Sequence, residues 1–167
     1  MSERIVIIDG NSLINRAYYA MQKPMITKDG IYTQGIFGFV NMLNKIIGDY
    51  EPIYLTVAFD LKAPTFRHLE YDAYKAGRKP MPELVMQMPL LKDVLHAMRI
   101  RTLELEGFEA DDIIGTAARL AEEADIEPLI ITGDKDALQL ATDKTKILIT
   151  KKGISEFELF DYDKMVE

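Results

Sequence analysis

Cysteine is absent from this chain of 167 residues. That excludes disulfides, thiolate catalysis and the usual structural zinc sites, and it fits a reducing cytoplasm. Histidine is scarce as well. His68 and His96 are the only two, too few for an imidazole-rich metal centre. Metal chemistry here must use carboxylates, which suit hard cations such as Mg²⁺, with Mn²⁺ as a substitute. No apolar run approaches the ~20 residues that a membrane span needs, so no membrane partner is expected. The first residues, MSERIVIIDG, hold only a short apolar run before an aspartate. They lack the apolar core and cleavage site of a secretory signal. Internal repeats and low-complexity tracts are missing too.

Positive charge is in deficit. Twenty Lys and Arg face 27 Asp and Glu, for a formal net charge of −7. On average this is the wrong sign for binding a polyanion. The distribution is uneven, however. Between Lys62 and Lys79 stand Lys62, Arg67, Lys75, Arg78 and Lys79, plus His68, against only Glu70 and Asp72. The acidic protein carries a local basic island.

What is present is a globular composition, 48% hydrophobic and 28% charged. The length suits one domain that buries roughly 70% of its unfolded surface. RIVIID (4–9) reads as a strand buried on both faces. GNSLINRAYYAM (10–21) reads as a helix with Asn11 or Ser12 as its N-cap. Residues 33–50 show the three-and-four apolar spacing of an amphipathic helix. PIYLTVAFD (52–60) is a second buried strand.

Residues 61–82 form a basic, Tyr- and Phe-rich stretch broken by Pro64, Gly77, Pro80 and Pro82. It reads as a long excursion from the sheet. A helix over 83–98, bent at Pro89, follows. RTLELE (101–106) is a strand, 109–124 a helix, EPLIITGD (127–134) a strand and KDALQLA a short helix. KTKILITK and SEFELF are two closing strands. DYDKMVE starts a helix with no stop signal, so the chain is expected to end within an element. This alternation predicts an α/β three-layer sandwich with a mainly parallel central sheet.

In such a sheet, ligands bind outside the carboxyl ends of the strands. Asp9 closes the first strand and Asp60 the second. Glu109, Asp111 and Asp112 follow the third, and Asp134 and Asp136 the fourth. Singly, each has a structural explanation as a cap, an Asx turn or a complement to a helix dipole. Together they would bring seven carboxylates to one edge. Like charges so packed repel and raise one another's pKa, and a bound cation reverses that balance. Paired ions about 3.5–4 Å apart serve in-line displacement at phosphorus. At ~100° per residue, Glu109 and Asp112 are expected to share a helix face, with Asp111 to one side.

The basic island interleaves cations with rings: Phe66, Arg67, Tyr71, Tyr74, Lys75, Arg78 and Lys79. Cations for a phosphate backbone and rings for stacking are what a single-strand binder uses. A solvated face with tyrosines beneath it is the structural alternative. Arg16, beside Tyr18 and Tyr19, could face the same edge. His68 and His96 read as surface or packed side chains.

The segments IDGNSLINRAYYA, GFVNML, VAFDLKAPTFRHLEYDAYKAGRKPMP, PLLKDVL, EGFEADDIIGTAA and ITGDKDALQL occur in that order. They resemble the family of N-terminal 5′-nuclease domains of bacterial DNA polymerase I. These belong to the flap endonuclease group, with a PIN-like core and a helical arch, and the resemblance covers nearly the whole chain.

It implies a Mg²⁺-dependent 5′-3′ exonuclease and 5′-flap endonuclease acting on DNA 5′ ends, flaps and RNA–DNA primer junctions, with a polymerase domain in the full-length protein. By position it implies Asp9, Asp60, Glu109, Asp111 and Asp112 around a first metal, and Asp134 and Asp136 toward a second. Lys75 and Arg78 match catalytic basic residues of the arch. Arg16 matches a residue near the substrate, and the basic island adds Arg67, Tyr74 and Lys79 as expected nucleic-acid contacts.

The family continues into a helix–hairpin region that grips duplex DNA and adds second-metal aspartates. On that pattern, residues 1–167 are expected to be a nuclease core cut before it. No apolar surface stripe is left over in the sequence, so a monomer is expected. A haloacid-dehalogenase-like phosphohydrolase is disfavoured, because Asn11 stands where its acid–base aspartate belongs. The remaining alternative is a non-catalytic nucleic-acid-binding fragment.

Overall fold

The computed structural model describes residues 2–61, 81–153 and 155–167. Six strands make one sheet: β1 (Arg4–Asp9), β2 (Tyr54–Ala58), β3 (Arg101–Leu103), β4 (Glu127–Thr132), β5 (Lys146–Thr150) and β6 (Phe157–Phe160). Their order is β3-β2-β1-β4-β5-β6. The first five are mutually parallel and β6 runs antiparallel to β5. The helices are α1 (Gly10–Ala20), α2 (Gln34–Tyr50), α3 (Pro82–Ala97), α4 (Ala110–Glu123) and α5 (Tyr162–Val166), with a 3₁₀ turn at Lys135–Leu140.

The apolar runs of the strands are explained by burial on both faces. Along β1, Val6 and Ile8 enter one core and Ile7 enters the other. On β4, Leu129 and Ile131 join the first and Ile130 the second. Helices α1, α2 and α3 close the first core with Leu13, Phe39, Met42, Leu91 and Leu95. Helix α4 closes the second with Ala110, Ile114 and Ala118. Helices on both faces of a mainly parallel sheet give the expected three-layer α/β sandwich. The expected arch falls on residues 62–80, which lie outside the described residues.

The chain winds from β1 through β2 to β3, then crosses by α4 to β4 on the other side of β1. The winding therefore reverses between β1 and β4. A crevice forms at the carboxyl ends there, because the loops leaving the two strands run to opposite faces.

Several boundaries differ from the sequence expectation. Helix α1 starts at Gly10, and its N-cap is Asp9 rather than Asn11 or Ser12. As the last residue of β1, Asp9 is still extended (φ −75°, ψ 97°), so its carboxylate reaches back to the first turn. Strand β3 has three residues instead of six, and it pairs with β2 only opposite Thr56–Ala58. Among the described residues it is the edge strand of the sheet. Helix α3 spans Pro82–Ala97 rather than 83–98, with Pro89 inside it. Strands β2 and β4 stop two residues before Asp60 and Asp134.

Gly10 marks a close approach. A Cβ there would lie 2.4 Å from Cε1 of Phe59, whose ring is fully buried. Gly10→Ala is therefore expected to destabilise the fold by about 1–3 kcal/mol through overpacking. Thermal denaturation checks this; an unchanged melting temperature would mean that the ring yields freely.

Candidate metal and nucleic-acid site

A cavity of about 1100 Å³ opens at this crevice. Asp9, Asp60, Glu109, Asp111 and Asp134 line it together, with Asn11, Ser12, Arg16 and Gly133. The acids come from the ends of β1 and β2, the start of α4 and the end of β4, so the topology alone brings them to one place.

Asp9 is buried, 6% exposed, as is Glu109. Its Oδ1 accepts from the Ser12 amide at 3.1 Å, and its Oδ2 accepts from the Thr132 hydroxyl at 2.9 Å. Burial pushes its carboxyl up to about 6. The two hydrogen bonds oppose that rise, and the charges of Asp111 and Asp60 add to it. Thr132 is held in turn, since its Oγ1 accepts from the Asp134 amide at 3.1 Å.

Asp60 joins three elements. Its amide donates to Asn11 Oδ1 at 2.8 Å, and its Oδ1 accepts from the Ala110 amide at 2.6 Å. Ser12 Oγ accepts from the Gly133 amide at 2.7 Å. The start of α1 is thus tied to the chain leaving β2 and to the chain leaving β4. These bonds fix the loops that carry the acids before any ligand arrives.

On α4 the expected geometry is revised. Glu109 is the buried N-cap residue. Asp112 turns back so that its Oδ2 accepts from the Glu109 amide at 2.9 Å, as part of a capping box. Asp111, expected to point aside, faces the main cavity with Glu109. Asp112 and Asp136 instead line an adjoining cavity of about 430 Å³, whose wall also includes Glu109 and Asp111. Asp134 both lines the main cavity and caps the 3₁₀ turn, its Oδ1 accepting from the Asp136 amide at 2.9 Å. Capping and site-lining therefore coexist in the same residues.

Among the described residues, no three acidic or imidazole side chains converge as a ready-made cage for one ion. The donors nevertheless suit Mg²⁺, which keeps several of its waters and takes only one or two carboxylates directly. A carboxyl whose pKa is raised by burial, and further by nearby charges, is also relieved by a cation.

Arg16 lines the same cavity, with Nη2 3.5 Å from the Thr150 carbonyl oxygen, at the outer limit of a hydrogen bond. Arg67, Tyr74, Lys75, Arg78 and Lys79 lie outside the described residues. Thr132 was not singled out from sequence. Its only signal is a hydroxyl at the end of an apolar strand, two residues before an aspartate.

The same architecture occurs in phage T5 D15 protein co-crystallised with metal ions. The TM-score is 0.72 at 21% identity, covering 98% of this chain and 59% of that one. A T5 D15 flap endonuclease variant, in a pseudo-enzyme-product complex with DNA and metal ions, aligns with a TM-score of 0.67 at 18% identity over 98% of this chain and 59% of its own. These likenesses define the fold class, a sandwich with helices on both faces of a mainly parallel sheet.

The sequence then gives the family. Residues 4–167 match the 5′-3′ exonuclease, N-terminal resolvase-like domain, and the chain belongs to that family. DNA polymerase I of Bacillus subtilis is 45% identical over 171 residues, covering 100% of this chain and 19% of that protein. DNA polymerase I of Bacillus caldotenax is 47% identical over 160 residues, covering 95% and 18%. The chain spans about a fifth of the length of these relatives.

Proposed function

We propose that this chain hydrolyses phosphodiester bonds at DNA 5′ ends and 5′ flaps, as the nuclease part of a DNA polymerase I. The observation that carries the reading is the shared cavity, where acids from four separate segments meet at the switch point. A non-catalytic binding fragment has no need of them.

In this reading Asp9, Asp60, Glu109 and Asp111 surround one Mg²⁺ or Mn²⁺, one or two of them directly and the others through its waters, with Asp112 contributing from the adjoining cavity; Asp134 and Asp136 contribute to a second. The bound cation supplies an activated water and charge neutralisation at the phosphate. Asp9 and Asp60 are held in place by Ser12, Thr132 and Ala110, so the ligand positions are set in advance. Arg16 faces the phosphate backbone from α1. Lys75 and Arg78 are assigned to the charge developing on the phosphoryl oxygens. The attacking water bonds to phosphorus as the bond to the 3′ oxygen breaks, leaving a 3′-hydroxyl and a 5′-phosphate.

The substrates fitting this role are flaps and RNA–DNA primer junctions in replication and repair. The setting is cytoplasmic and the chain monomeric. Among the described residues no helix is long and apolar enough to cross a membrane. The belonging family and the DNA- and metal-bound T5 neighbour support the reading.

The test is cleavage of a labelled 5′-flap DNA with Mg²⁺, with Mn²⁺ and with chelator. Metal-dependent release of the flap is expected. Release undiminished by chelator would overturn the metal assignment.

A further inference from the structure

The outward face of α1 is not used up by the acids. Its inward residues Leu13, Ile14 and Ala17 are fully buried. Ser12 lies three and four residues before Asn15 and Arg16, Tyr19 lies four and three residues after them, and all four line the main cavity. The stripe therefore runs from the acidic end outward, beginning at the Asp9 cap and ending at Tyr19. At ~1.5 Å per residue, Tyr19 stands roughly 15 Å along the helix axis from Asp9.

Tyr19 is 67% exposed, the most of any large apolar or aromatic side chain among the described residues. Leaving that ring in water forgoes burial free energy that the rest of α1 collects. The ring is not loose, however. Tyr18, packed against the core, meets it edge-on at 5.1 Å and 87°. Beyond Tyr19 the cavity wall is apolar, made by Ala20 with Met81 and Leu84 at the start of α3. The cavity thus has an acidic end suited to cations, Arg16 along its side, and a braced, open ring at an apolar end.

Resting on the nucleic-acid reading above, we propose that Tyr19 is a stacking platform for a nucleobase of the substrate strand, with Arg16 one helical turn away taking that strand's phosphate. A cation and a ring at i and i+3 match the two parts of one nucleotide. Stacking needs no base-specific hydrogen bonds, so it suits a nuclease that accepts many sequences. The ~15 Å separation places the stacked base about four nucleotides from the acid-facing phosphate at duplex rise, and fewer in an extended strand. Bracing by Tyr18 limits the ordering needed on binding.

The test uses the whole chain with a fluorescent single-stranded DNA oligonucleotide, Ca²⁺ as the cation, and anisotropy as the readout. Tyr19→Ala is expected to weaken binding by roughly 5- to 150-fold, the range for loss of one base–aromatic stack. Tyr19→Phe should bind like the unaltered chain. An oligonucleotide with abasic sites across the stacked positions should lose the same factor on the unaltered chain and nothing further on Tyr19→Ala. The chain has no tryptophan, so Tyr19→Trp provides a single emitter that stacking should quench.

Equal affinity of Tyr19→Ala and the unaltered chain overturns the platform while leaving the nucleic-acid reading intact. So does an unquenched Tyr19→Trp that still binds. Failure of the unaltered chain to bind at low salt overturns both.

Discussion

Asp9→Asn is expected to lower Mg²⁺-dependent cleavage by more than ~100-fold, since losing a ligand should exceed the 10–100-fold typical of its supporting partners. The same substitution is expected to stabilise the metal-free chain at pH 7. The cause is the burial that makes Asp9 a poised ligand. Its carboxyl titrates at about 6 in the fold against 3.8 ordinarily, first because it is desolvated and then because Asp111 and Asp60 lie near. A carboxyl whose pKa rises on folding opposes folding once it ionises. Below 3.8 both states are protonated and the penalty is absent. It grows as pH rises toward 6 and is complete above that, reaching about 3 kcal/mol. Asparagine keeps the shape and the acceptor for the Ser12 amide but carries no charge.

Melting with chelator at pH 4 and pH 7 separates these effects. The variant's advantage should be small at pH 4 and roughly 6–12 °C at pH 7, at about 2–4 °C per kcal/mol for a chain of this size. Mg²⁺ should then raise the melting temperature of the unaltered chain and much less that of the variant. Equal Mg²⁺ stabilisation of both would remove Asp9 from the ligand set. An equal advantage at both pH values would remove the charge penalty.

The sheet was legible because burial on both faces leaves an unbroken apolar run, as in RIVIID. The candidate site was legible because strand ends in a parallel sheet point one way, so acids after each run must gather. What sequence could not show was how each acid is held. Asp9 reads from sequence as a strand end or as a helix cap, and the extended backbone there lets it be both. Asp112 shares a helical face with Glu109 by angle, yet a backbone amide one turn back draws it away from the main cavity. Periodicity assigns a side chain to a face but does not say which local donor will capture it. Thr132 and Gly10 matter through partners more than 45 positions away in sequence, Asp9 and Phe59 respectively, and one sequence carries no record of such pairings.

Gln87 is the clearest instance, and it supports the second large prediction. It occupies the inward stripe of α3 with Leu84, Leu91 and Leu95, and it is fully buried. On periodicity a leucine would serve there. Its Oε1, however, accepts from the amides of Gly35 at 2.8 Å and Ile36 at 3.2 Å, while its Nε2 donates to the Glu83 carbonyl at 3.1 Å. Those amides belong to the first turn of α2, which has no partner within its own helix. The N-cap residue, Thr33, makes no side-chain cap bond. Gln87 therefore caps α2 from another helix.

Gln87→Leu is expected to cost about 2–4 kcal/mol, because it leaves two largely buried donors unsatisfied while adding apolar surface of similar volume. Hydrogen exchange separates this from simple misfit: the Gly35 and Ile36 amides should lose protection well beyond their neighbours on α2. A uniform change across α2 would mean that packing, not capping, is what Gln87 supplies. The bond also bears on the site. Helix α3 delivers Leu84 to the wall of the cavity that Tyr19 also lines, so loosening α3 from α2 should weaken oligonucleotide binding together with stability, whereas Gly10→Ala strains the acidic end of the same cavity.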